Sequence, residues 1–171
     1  GFNVQTTFKK LGEMKQLGEL NTQMAVENLV SGITSAYFNY VNQVQLLNNL
    51  KYALTLSKER LRIDEERYLL GSSSKLNVLQ SRVYVNSDST RLSRQVQTVV
   101  ATQIQLNELM AVEDLGASFI SQDTSIAISS DLLYEKLLDE TLMRNTSLLI
   151  AGANKTISEF DRKIIASRSY P

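Results

Sequence analysis

Cysteine, histidine and tryptophan are missing from these 171 residues, and the single proline, Pro171, stands at the very end. Without histidine or cysteine there is no imidazole or thiol to serve as base, nucleophile or metal ligand. Disulfides and zinc sites of the usual type go with them, although a missing thiol does not fix the redox compartment. A chain almost free of proline lets helices run on, because nothing interrupts the backbone hydrogen-bond ladder. Lysine plus arginine number 18 and aspartate plus glutamate 18, so the formal net charge is zero. The basic excess or stripe expected of a nucleic-acid binder is absent on this reading. No apolar run approaches the roughly 18 to 20 residues of a membrane helix, and no signal peptide starts the chain. The chain opens on Gly1 rather than methionine, and is expected to be an excised piece.

The remaining chemistry points away from catalysis. The acidic runs Asp64-Glu65-Glu66 and Asp139-Glu140 occupy adjacent helical positions, which point apart and do not share a site. Ser72, Ser73 and Ser74 have no base to activate them. The expectation is a protein that is not an enzyme, with no catalytic residue, no cofactor and no metal.

What is present is a heptad rhythm. Val26, Ile33, Tyr40, Leu47, Leu54, Leu61 and Tyr68 recur every seven positions, then Val78, Val85, Leu92, Val99 and Leu106 repeat the pattern on a new phase. The two tracks meet at Gly71-Ser72-Ser73-Ser74. This predicts a long antiparallel coiled-coil hairpin with a defined tip. A second track is expected at Val30, Tyr37 and Val44, continuing through Lys51, Lys58 and Glu65, so that packing thins towards the tip. Gly12, Gly18 and Gly32 each cost up to about 1 kcal/mol against alanine without shifting the phase. Gly71 suits a left-handed helix cap, and Ser73 or Ser74 suits the start of the return helix. The charges from Lys58 to Arg67 are expected to form a solvated face laced with pairs three or four apart.

Beyond the hairpin, residues 113–129 show weak alternation and no helical period, which suggests a strap. Helices are then expected over 130–144, with Leu132, Leu133, Leu137, Leu138 and Leu142 as an amphipathic set, and over 146–168. The second of these would carry Leu149, Ala153, Ile157, Phe160 and Ile164 on one face. The length suggests one domain, 1–171, running as about 4–70 long helix, 71–74 tip turn, 75–112 return helix, 113–129 strap, 130–144 and 146–168 shorter helices. The class is all-α.

The tip carries more than turn chemistry. Arg67, Gly71, Ser74 and Leu76-Asn77-Val78-Leu79 follow an R-x-x-x-G-x-x-S-x-x-D-V-L pattern, with Asn77 where aspartate is commoner. Ala36-Tyr37, Leu106-Asn-Glu-Leu-Met110, Leu142-Met-Arg-Asn145 with Leu148, and Ile165-Ala-Ser-Arg168-Ser-Tyr-Pro171 fall in matching order along the chain. Thr146 stands where proline is commoner. Together these residues resemble the outer-membrane efflux protein family (TolC-like) over nearly the whole sequence.

The resemblance implies a particular architecture. In that family each half supplies a β-hairpin to a trimeric outer-membrane barrel and long helices to a periplasmic α-barrel. This chain would then be the elongated periplasmic part of one repeat with the barrel strands absent, 130–144 and 146–168 being its equatorial and upper helices. The function implied is that of a tunnel segment in a channel for efflux or type I secretion. Arg67, Gly71, Ser74, Leu76, Asn77, Val78 and Leu79 would dock a periplasmic adaptor (a membrane fusion protein) and, through it, an inner-membrane pump. The full-length protein would be a homotrimer in the cell outer membrane of a Gram-negative bacterium, with this segment in the periplasm and no nucleic-acid partner. The alternative is a structural coiled-coil scaffold or signalling helical module that binds partner helices; it explains the heptads equally well but not the tip pattern.

Overall fold

The computed structural model describes residues 2–119 and 132–167, and among these every regular element is an α-helix. In chain order they are α1 (Phe2–Leu69), α2 (Lys75–Leu109), α3 (Tyr134–Arg144) and α4 (Thr146–Ser167). Helix α1 begins earlier than the periodicity predicts and runs through Gly12, Gly18 and Gly32. A helix of 68 residues far exceeds the three to four turns typical of globular proteins, so tertiary packing must sustain it. Among the described residues no helix is long and apolar enough to cross a membrane. Contacts divide the chain into two units, Gly32–Ala127 and a second made of Gly1–Ser31 with Ile128–Pro171.

In the unit spanning Gly32–Ala127, α1 and α2 are antiparallel. Partners descend one helix as they climb the other: Asp64 meets Ser81, Ser57 meets Asp88, and Gln43 meets Gln95. The apolar track is real at its centre. Tyr40, Val78 and Leu106 are buried, and Leu47, Leu54, Leu61, Val85, Leu92 and Val99 are half-buried, as is Ile33. Leu106, 1% exposed, contributes about 1.5–3 kcal/mol by leaving water.

Two members of the expected seam are exposed instead, Val26 at 56% and Tyr68 at 44%. Tyr68 lies one residue from the end of α1, where α2 is only beginning. Val26 belongs to the other unit, where the covered stripe is Lys10, Leu17 and Met24 with Thr6, Glu13 and Leu20, and position 26 falls off it.

The second track is also different. Tyr37, Val44 and Glu65 are half-buried, but Val30 is 57% exposed, and Lys51 and Lys58 are exposed. The stripe that faces α2 is Gln43, Leu50, Ser57 and Asp64, one residue earlier in each heptad. Its counterpart on α2 is Ser81, Asp88, Gln95 and Thr102, with Ser81, Gln95 and Thr102 buried. The seam therefore does not thin towards the tip; its second row turns polar. Packing there remains satisfied, since no described buried side-chain oxygen or nitrogen lacks a hydrogen bond.

Helix α2 ends at Leu109, ahead of the expected 112, in a left-handed cap at Ala111 (φ 54°). The Ala111 amide donates to the Glu108 carbonyl and the Val112 amide to the Asn107 carbonyl, each at 3.0 Å. The described part of the strap then runs back beside α2. The Asn107 side-chain amide donates to the carbonyls of Leu115 and Ala117 at 2.9 Å, and the Gln103 amide to that of Ala117 at 2.6 Å. Phe119 stacks on Tyr40 with ring centroids 4.8 Å apart, and the Tyr40 hydroxyl donates to the Phe119 carbonyl at 3.3 Å. The rest of the expected strap lies outside the described residues.

In the other unit, α4 packs antiparallel to the first turns of α1. Lys10 Nζ meets Asp161 Oδ1 at 2.5 Å, and the Ser147 hydroxyl lies 3.7 Å from Met24 Sδ. Asn145 caps α4, its Oδ1 accepting from the Leu148 amide at 3.1 Å. Thr146, where the family pattern commonly has proline, is 3% exposed. Its hydroxyl donates to Glu27 Oε1 at 2.9 Å and accepts from Gln23 Nε2 at 3.2 Å. A proline there would carry neither bond. On α4 the covered stripe is Thr146, Ile150, Ala153, Ile157, Phe160 and Ile164; Leu149, expected on it, is 41% exposed. Helix α3 starts at Tyr134 with Leu133 as its N-cap and buries none of its residues. Of the expected start, Ser130 and Asp131 lie outside the described residues.

Candidate functional site

The tip joins α1 to α2 through a five-residue turn, 70–74, whose hydrogen bonds account for its sequence. Gly71 takes φ +73°, in the left-handed region. Its amide donates to the Tyr68 carbonyl at 3.0 Å, and the next amide, Ser72, reaches back to the Arg67 carbonyl at 2.9 Å. This 5→2 and 6→1 pair is a Schellman cap, and it absorbs carbonyls that the helix end would otherwise leave unpaired. The Ser72 hydroxyl donates to the same Arg67 carbonyl at 3.0 Å.

Ser74 then opens α2 in an extended conformation (φ −85°, ψ 152°), its hydroxyl accepting from the Asn77 amide at 3.4 Å. Asn77 closes the turn from the other side, donating its side-chain amide to the Ser73 hydroxyl at 3.1 Å. An aspartate at 77, the commoner residue in the resembling pattern, would accept from Ser73 rather than donate.

The residues singled out at the tip divide by direction. Val78 is buried at 8% and belongs to the seam with α1. Leu76 and Leu79 face solvent at 70% and 48%, beside Leu69 and Leu70 at 83% and 82%. Arg67, Gly71 and Ser74 are exposed. A Cβ built on Gly71 meets nothing within 4 Å, so the constraint on this position inside the chain is its positive φ, not crowding. The tip thus offers several leucines to solvent around a turn closed by hydrogen bonds at both helix ends.

Of the charges from Lys58 to Arg67, Arg62 with Glu59 and Glu66 form the expected pairs three and four apart among the described residues. Arg62 donates from Nε and Nη2 to Glu59 and from Nη1 to Glu66. The hydrogen bonds from Arg62 hold the Glu59 carboxyl below the usual carboxylate value, and the same bonds raise the guanidinium of Arg62 further above its own. Both groups are fully exposed, so solvent screens the pairing. The three adjacent carboxylates go to three different partners: Asp64 to Ser81, Glu65 to Arg82 at 2.9 Å, and Glu66 to Arg62. Two of these cross to α2.

Apolar periodicity alone did not reveal the Asp64–Ser81 and Ser57–Asp88 bonds, because their residues are polar. The available signal was a polar heptad, Ser81, Asp88, Gln95 and Thr102, running three residues behind the valine and leucine track of α2. No protein-family model matches this chain, and neither a curated protein nor a solved structure matches it.

Proposed function

We propose that this chain is the periplasmic tunnel segment of a TolC-like outer-membrane channel for efflux or type I secretion. On this proposal its hairpin tip docks a periplasmic adaptor, and a trimer of the full-length protein closes the tunnel. The observation that carries the reading is the turn itself. Gly71 and Ser74, two residues shared with the family pattern, hold the C-cap of one long helix and the N-cap of the next. Four leucines stand exposed around that turn, and a folded chain rarely leaves apolar side chains grouped so without a partner surface.

The mechanism that follows is conformational. Hairpin ends pack together at rest, and docking of the adaptor's own hairpin against Arg67, Leu76 and Leu79 draws them apart. The cap matters because it fixes where those side chains stand, so docking orders little that is not already ordered. Energy for transport comes from the inner-membrane pump, with no reaction assigned to this chain. Ser73 is placed at the turn and half-buried. A Ser73→Cys variant of the full-length protein should cross-link in cells to the helical hairpin of a periplasmic adaptor bearing a single tip cysteine. Absence of that product, with a control cysteine pair across the α1–α2 seam still forming its disulfide, would count against docking at the tip.

A further inference from the structure

We infer that α1 bends at Ser31-Gly32, where residues 28–35 open locally while the helix before and after them stays folded. The inference does not depend on the channel reading and would survive its failure. It starts from residue type. Of these eight residues only Leu29 is a strong helix former; Asn28, Val30, Ser31, Gly32, Ile33, Thr34 and Ser35 are all weaker ones. Branched side chains lose rotamer freedom in a helix, asparagine and serine compete for its backbone bonds, and glycine gives up the most backbone freedom. Residues 58–65 of the same helix include only two weaker formers, Ile63 and Asp64.

Such a stretch is marginal as a helix unless something packs on it, and here the cover lapses. Lys10, Leu17 and Met24 are half-buried at intervals of seven, but the next in that series, Ser31, is exposed. Every residue from Ala25 to Ser31 is exposed, Val26, Leu29 and Val30 to more than half. Seven consecutive residues complete almost two turns, so no face of the helix is covered there. Cover resumes with Gly32 and Ile33, half-buried, and then Tyr40, buried. The boundary between the two units of contacts falls at the same place, between Ser31 and Gly32.

Gly32 itself has no steric reason to be glycine. A Cβ built on it meets nothing within 4 Å, and its φ lies outside the left-handed region. What it supplies is the pair with Ser31, and Gly/Ser pairs are among the few causes of sharp helix bends. Gly18 is equally open but sits between half-buried Leu17 and Leu20, so glycine without the loss of cover does not make a bend. Opening over 28–35 leaves outside it the bond of Thr146 to Glu27 on one side and that of Gln95 to Gln43 on the other. The helix can therefore change direction there without unfolding its flanks.

Amide hydrogen exchange on the full chain, read residue by residue, tests this. Amides 30–36 should exchange at least about tenfold faster than those of 43–61. Gly32→Ala fits the open space and favours helix, so it should slow exchange over 30–36 by about fivefold and leave 43–61 unchanged. Nitroxide labels at the exposed positions Gln16→Cys and Asn48→Cys read the bend itself, because a straight helix sets their Cα atoms about 48 Å apart. The distance distribution should be broad, extend well below that value, and narrow in Gly32→Ala. Exchange over 30–36 no faster than over 43–61, a single narrow distance at the straight-helix value, or an alanine variant that changes neither measurement would each overturn the inference.

Discussion

The hydroxyl of Ser81 on α2 donates to the carboxylate of Asp64 on α1, and one heptad higher the roles are exchanged, Ser57 on α1 donating to Asp88 on α2. Both pairs lie in the helix seam, with Ser81 buried and the Asp88 side chain 19% exposed. A buried hydroxyl–carboxylate bond is sensitive to register, because sliding one helix leaves two polar groups without partners. Asp64→Ala should therefore cost about 1–3 kcal/mol. The exchange Asp64→Ser with Ser81→Asp should recover most of that loss, since it reproduces the arrangement found at Ser57 and Asp88. Urea unfolding of the two single variants and the exchange variant gives the coupling; an exchange no better than the sum of the singles contradicts the seam.

The two left-handed caps make opposite predictions. Ala111 holds φ 54° with a side chain, so Ala111→Gly should stabilise by about 1 kcal/mol, the left-handed penalty being relieved. Gly71 holds φ +73° with open space around it, so Gly71→Ala should destabilise by about 1–2 kcal/mol through backbone strain alone. Thermal unfolding of both variants measures the pair. Shifts of the same sign would mean that the conformations are not held in solution.

Asn107 anchors the described strap. It is 2% exposed, and its amide serves two carbonyls, those of Leu115 and Ala117. Asn107→Leu should loosen residues 115–119, leaving the Leu115 carbonyl unsatisfied and that of Ala117 with Gln103 alone, at a cost of about 1–3 kcal/mol. Hydrogen exchange at amides 112–119 should rise while exchange in the middle of α2 stays slow. Unchanged protection in the strap would refute the anchoring role.

Acid should weaken the pairing around Arg62 in one direction only. The Glu59 carboxyl is held below its usual value, so its contribution is present above the unfolded pKa and is lost as pH falls through the lower folded one. Glu59→Gln should flatten the corresponding part of the stability–pH curve, and added salt should shrink the difference, because the pair is fully exposed. A larger difference at high salt would contradict a screened surface pair.

Much of the hairpin was legible because an apolar residue every seven positions has few other uses. Tyr40 is buried and Leu47, Leu54 and Leu61 are half-buried as their spacing requires, and the Gly71 and Ser74 caps follow from residue type. The second row escaped the same reasoning. Gln43, Ser57 and Asp64 are polar, whereas the heptad track through the apolar Val44 runs one position away to Lys51 and Lys58, which are exposed. Hydrogen bonding, not hydropathy, places those residues inside, and only the facing row on α2 reveals their partners. Thr146 was hidden for a related reason: its value lies in a contact with Gln23 and Glu27, more than a hundred positions away in the chain. The leucines in and just before α3 are expected as an amphipathic set, yet Leu132, Leu133, Leu137, Leu138 and Leu142 are all exposed. Amphipathicity shows which side can be buried, and nothing along the helix itself says what covers it.

The central claim is that the turn at Gly71 is a docking end and not merely a connection. Export of an antibiotic or dye should be measured in cells whose only copy of the full-length protein carries Gly71→Asp, with Gly71→Ala as the comparison and membrane levels checked for both. Aspartate tolerates the left-handed region at least as well as alanine does, so strain does not favour alanine, and only aspartate sets a carboxylate on the open side of the turn. The account predicts export abolished in Gly71→Asp and largely kept in Gly71→Ala at equal protein levels. Normal export by Gly71→Asp at normal levels would contradict it and return the tip to the role of a plain turn.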